Sequence, residues 1–185
     1  MKKVIGITGS IGSGKSHAVK IFKNICKEKE IDAIFLDVDD IRRNILNEAK
    51  IDRVQLNKKI YNNEKAMKEY KKYINPKIKK YLSEQIRKNN VVIFIEWALL
   101  WEDDLYNIVD SIIMINCKKD TQIKRLENGD LGKEEIEKRI KMQLTNEQKI
   151  DKIKQLKKEF FIIDTSNNPK ENEYEELLKK EGLYE

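Results

Sequence analysis

Gly9-Ser10-Ile11-Gly12-Ser13-Gly14-Lys15-Ser16 decides how the rest of this chain is read. The stretch matches G-x-x-x-x-G-K-[ST], a phosphate-cradling loop. It directly follows an apolar run, Val4-Ile5-Gly6-Ile7-Thr8, and directly precedes a segment in which Ala18, Val19, Phe22, Ile25 and Cys26 recur at helical spacing. Glycine allows a loop tight enough to turn backbone N–H groups inward at phosphate oxygens. The helix that starts there aims its positive end at the same anion. Lys15 is expected to reach the β- and γ-phosphates of a nucleoside triphosphate, and the Ser16 hydroxyl to coordinate Mg²⁺. Gly9 through His17 are thus the expected nucleotide contacts, His17 as a helix residue beside the phosphates rather than a base.

Working outward, five apolar runs read as strands, over residues 4–8, 33–37, 91–96, 112–116 and 160–164. They are continuous rather than alternating, as in a parallel sheet covered by helices on both faces. The helical patterns between them predict an open α/β fold with right-handed crossovers. Residues 52–88 are rich in Lys, Asn, Glu and Tyr, with Ile60, Met67, Tyr70, Ile74, Ile78 and Leu82 at the periodic apolar positions. They read as two helices broken near Asn75-Pro76, because proline disfavours a helical residue before it.

At 185 residues the chain fits one domain by the prior of ~150 residues each. It is 38% charged and 39% hydrophobic, inside the globular range. The opening residues lead straight into a strand and no apolar stretch is long enough to span a bilayer, so a cytoplasmic protein off the membrane is expected. Cys26 and Cys117 form no C-x-x-C pair and do not cluster with His17, the single histidine, which argues against disulfide or zinc chemistry. The net charge of +6 suits polyphosphate substrates. In residues 52–88 glutamates interleave with the lysines and no RNA-binding motif is present, so nucleic acid is not the expected partner. A monomer or weak homo-oligomer is expected.

The second run ends in Leu36-Asp37-Val38-Asp39-Asp40-Ile41-Arg42-Arg43. In an open α/β sheet ligands sit beyond the carboxyl ends of the strands, which puts these acids near the phosphates. A carboxylate there can take a proton from an acceptor hydroxyl, or can merely cap the next helix. Together with Gly6-Ile7-Thr8 and the loop, this stretch resembles the dephospho-CoA kinase family, which carries G-x-T-G-x-I-G-S-G-K-S and then D-A-D-x-I-x-R. The likeness continues with Asn75-Pro76 for the family's H-P, Ala98-Leu99-Leu100-Trp101-Glu102 for P-L-L-x-E, Gln122 to Leu126 for Q-x-x-R-L, and Arg139-Ile140-Lys141-Met142-Gln143 for R-I-x-x-Q.

The resemblance implies a P-loop kinase three-layer fold, with strand order 2-3-1-4-5 and helices on both faces. It also implies an acceptor region over residues 52–88 and a helical lid over 118–158. It makes Asp39 the catalytic carboxylate on the acceptor side, assisted by Asp37, with Arg43 and Glu102 at the acceptor and Arg125 and Arg139 neutralising the transferring phosphoryl group. For both arginines an ordinary helix ion pair is the alternative. The implied reaction is phosphorylation of the ribose 3′-hydroxyl of dephospho-CoA by ATP. The departures are Asn75 for histidine, Ala98 for proline, Gly129-Asp130 where the lid has R-D, and Phe160 to Asn167 in place of a late A-D-x-V-I-x-N-x-G. A nucleoside or deoxynucleoside monophosphate kinase shares the cradle and lid. A GTP-dependent switch would want N-K-x-D, which Asn57-Lys58-Lys59-Ile60 lacks.

Overall fold

The computed structural model describes residues 2–60, 63–103, 106–129, 132–141 and 143–185. Each apolar run forms a strand: β1 (Lys3–Thr8), β2 (Ala33–Asp37), β3 (Val92–Glu96), β4 (Ser111–Asn116) and β5 (Glu159–Asp164). They pair in parallel in the order β2-β3-β1-β4-β5. The register sets Asp37 beside Glu96 and Glu96 beside Ile7, at the carboxyl ends of β2, β3 and β1. β1 and β4 are almost wholly buried, which explains their unbroken apolar runs; β5 is an outer strand, with Ile162 40% exposed.

Alternate residues of each strand feed two cores. On one face α1 (Lys15–Glu28) and α8 (Glu171–Lys180) bring Phe22, Ile25, Tyr174 and Leu178 against Ile5, Phe94 and Ile113. Phe35 and Phe94 stack there with centroids 4.5 Å apart. On the other face α2 (Val38–Glu48), α4 (Glu64–Lys88) and α7 (Asn146–Gln155) bring Ile41, Ile74, Ile78, Leu82 and Ile153 against Ile93, Ile95 and Met114. A fully buried aliphatic side chain contributes roughly 1.5–3 kcal/mol, so the sheet is held mainly by these two layers.

The break expected at Asn75-Pro76 does not occur. α3 (Arg53–Ile60) ends before residue 61, Asn63 caps α4 by accepting from Ala66 N at 3.0 Å, and α4 then runs through Pro76 to Lys88. Pro76 removes one N–H from the helix ladder, yet the buried stripe of Ile74, Ile78 and Leu82 spans it. Tertiary packing outweighs the local preference. The region following β4 holds α5 (Lys119–Glu127), α6 (Lys133–Lys141) and α7, which opens on a capping box of Thr145 and Gln148. Asp130 and Met142, two residues of the expected lid motifs, lie outside the described residues.

Candidate active site

The loop between β1 and α1 is shaped by close approach and by positive φ. A Cβ on Gly9 would stand 2.4 Å from the Ile115 carbonyl oxygen, and Gly14, which begins α1, has φ 89. Only glycine fits the first position, and at the second any other residue is strained. The loop is braced from outside. Ile11 N donates to Gln143 Oε1 (2.9 Å), Gln122 Nε2 to the Ile11 carbonyl (2.6 Å), Ser10 Oγ to Asn146 Oδ1 (2.8 Å) and Thr165 Oγ1 to the Ser13 carbonyl (2.5 Å). Three of these four braces come from the helical region after β4, the expected lid, which therefore packs directly on the loop.

Lys15 Nζ lies 3.1 Å from Glu96 Oε1, and Ser16 Oγ donates to the same oxygen at 3.1 Å. Glu96 is the residue that reading the sequence left without a role. Its signal was available: an acid ends the third apolar run, and in a 2-3-1 strand order that end adjoins the loop. Beside it, Asp37 accepts from Asp39 N (2.7 Å) and Asp40 N (3.4 Å), so the capping role falls on Asp37 rather than on the two acids after it. Burial raises the Asp37 carboxyl above its usual range, the Asp39 N–H bond opposes that rise, and the negative charges of Glu96, Asp39 and Asp40 add to it.

The remaining expected residues divide. Asp39 is exposed and accepts from Arg42 Nη1 at 2.8 Å, while Asp40 pairs with Arg43 at 3.0 Å. A groove of about 300 Å³ beside Asp37 and Glu96 is lined by Asp40, Asn44, Phe35 and Tyr81, and Asp39 is not among its lining residues. Arg125 reaches the loop: its Nη1 would stand 3.2 Å from a Cβ on Gly14, and it donates to Thr165 Oγ1 (2.9 Å) and the Thr165 carbonyl (2.7 Å). Arg139 sits in the last turn of α6, and His17 is exposed on α1. Glu102 turns inward, accepting from Leu144 N at 2.9 Å and lying 3.8 Å from Nζ of the fully buried Lys149, which also donates to the Ala98 carbonyl at 3.0 Å. Burial lowers the Lys149 pKa, the Glu102 charge pulls it up and that of Lys15 pushes it down.

The family model for dephospho-CoA kinase matches residues 38–159, a span that begins beyond the phosphate loop. The chain belongs to the dephospho-CoA kinase family. Loop and family match are thus separate observations. A Campylobacter jejuni (strain RM1221) protein named dephospho-CoA kinase is 30% identical over 188 residues, 91% of this chain and 90% of its own. One from Fusobacterium nucleatum is 28% identical over 194 residues, covering 96% and 94%. Among solved structures, a crystal structure from Thermus thermophilus superposes with TM-score 0.81 at 18% identity, covering 99% of this chain and 98% of that one. Deoxyadenosine kinase from M. mycoides with bound dATP follows at 0.56 and 17%, each chain fully covered. These two share the fold.

Proposed function

We propose that this protein transfers the γ-phosphoryl group of ATP to the ribose 3′-hydroxyl of dephospho-CoA, giving coenzyme A and ADP in the cytoplasm. The observation that carries the reading is the convergence of Lys15 and Ser16 on Glu96, one strand from Asp37 and the helix start that bears Asp39. The loop amides and Lys15 bind the β- and γ-phosphates, with Arg125 and Arg139 neutralising charge as the phosphoryl group moves. Asp39 orients the acceptor hydroxyl and takes its proton, so that the hydroxyl oxygen bonds to the γ-phosphorus as the bridge to ADP breaks. Asp37 holds the start of α2 in place, Arg43 meets the acceptor's anionic part, and Glu102 fixes the wall of the acceptor region. Closure of residues 118–158 keeps water from the phosphoryl group.

Mg²⁺ fits this donor set. Ser16 Oγ and Glu96 Oε1 are hard oxygens 3.1 Å apart, the sparse protein contribution suited to an ion that keeps several waters and takes substrate phosphate oxygens. Bound there, it would neutralise charge on the β- and γ-oxygens.

The test is a panel of dephospho-CoA, nucleosides and nucleoside monophosphates with Mg²⁺ and ATP, read by mass spectrometry. Dephospho-CoA is expected to gain the phosphoryl group selectively; preference for a monophosphate moves the protein to the monophosphate kinases. Kinetics on Asp37→Asn, Asp39→Asn and Asp40→Asn assign the base. Asp39→Asn is expected to lower kcat about 10²–10⁴-fold with ATP binding retained. The assignment passes to Asp40, which lines the groove, if its variant loses most.

A further inference from the structure

The acidic stretch contains a second arginine, Arg42, which has no role in the site as described so far. Its Nη1 donates to Asp39 Oδ1 at 2.8 Å and its Nη2 to Asp103 Oδ2 at 3.1 Å. The two ends of this bridge differ sharply. The Asp39 side chain is 63% exposed, whereas that of Asp103 is 2% exposed. Asp103 belongs to the segment after β3 and is held from three sides: by Arg42, by Trp97 Nε1 on the same oxygen at 3.0 Å, and by Lys71 Nζ of α4 on Oδ1 at 3.3 Å. Lys71 also donates to the Glu102 carbonyl at 2.7 Å. α2, α4 and the turn after β3 therefore meet at one buried carboxylate.

An exposed pair three residues apart on a helix contributes only a few tenths of a kcal/mol, since two mobile side chains must be ordered for a screened attraction. The Arg42 pair is different because one nitrogen of the planar guanidinium, Nη2, is already fixed by a buried anion. The other, Nη1, is then presented to Asp39 at little further ordering cost. We propose that Arg42, anchored on Asp103, is a positioning residue that fixes the orientation of the Asp39 carboxylate toward the acceptor. The inference rests on the reading of Asp39 as the base, and it goes beyond that reading by naming what aims it.

The test is a set of kcat and KM measurements on Arg42→Gln and Asp103→Asn, each made in the wild-type protein and in the Asp39→Asn variant. Arg42→Gln, which leaves Asp103 its contacts with Lys71 and Trp97, tests the bridge even if Asp103→Asn does not fold. Arg42→Gln is expected to lower kcat about 10–100-fold, the scale of a misplaced catalytic group, with KM for ATP unchanged. In the Asp39→Asn protein the same substitution is expected to cost nothing more, because the group it aims is already disabled. Equal losses in both backgrounds, or wild-type kcat for Arg42→Gln, overturn the positioning role while leaving Asp39 as the base. Wild-type kcat for Asp39→Asn itself overturns the base reading, and this inference falls with it.

Discussion

Asp37 illustrates how a functional position costs stability. It ends β2, caps α2 and stands beside Glu96, and burial raises its pKa above the usual 3.8. A carboxyl with a raised folded-state pKa binds more protons folded than unfolded between the two values, so stability falls as pH rises through that window and stays reduced at neutrality. Asn caps a helix about as well as Asp and carries no charge. Asp37→Asn is therefore expected to raise the melting temperature at pH 7, with the gain shrinking to nothing as the pH drops below 3.8. Calorimetry across pH checks this; a gain that persists in acid would place the effect elsewhere than in ionisation. At this scale the phosphate loop was legible because its residues are contiguous. Glu96 was legible in place, as the acid that ends the third run, but not in its partners; Thr165 and the Arg42–Asp103 pair were not legible, since only the folded chain joins segments so far apart.

At the scale of elements, the strands were legible within one residue at each start, because burial on both faces leaves no room for polar alternation. α4 was misread at Pro76 because the buried stripe that carries it through lies in the third dimension. That misreading yields an expectation: Pro76→Ala restores an N–H to the ladder and removes an interior cost of up to about 3 kcal/mol. The melting temperature should rise by roughly 3–10 °C in a chain of this size; a fall would mean that α4 needs its proline. α7 gives the opposite case. Lys149→Met leaves the Glu102 carboxylate without its cation and should lower stability by on the order of 3 kcal/mol. Adding Glu102→Gln should recover part of that loss, and a double variant as unstable as the single one would show that the pair is not what pins α7.

The whole molecule responds to its nucleotide and to its own edge. A ligand bound only by the folded state at 100 times its Kd adds about 2.7 kcal/mol. Saturating Mg²⁺ and ATP should therefore raise the melting temperature several degrees, while Lys15→Met, which starts lower because Glu96 loses its cation, should lose most of that rise. An identical shift in the variant would detach Lys15 from the phosphates. The sheet also ends at β5, where Phe160-Phe161-Ile162-Ile163 is a short apolar run on an outer strand with Ile162 40% exposed. Such a run is a template for strand-to-strand stacking between molecules. Lys157, Lys158 and Glu159 precede it and Asp164 closes it, charges that guard both ends. The consequence is colloidal: salt that screens these charges and the net +6 should drive self-association visible by light scattering. Ile162→Lys should suppress it, because the edge would then carry its own repulsion into every encounter between copies.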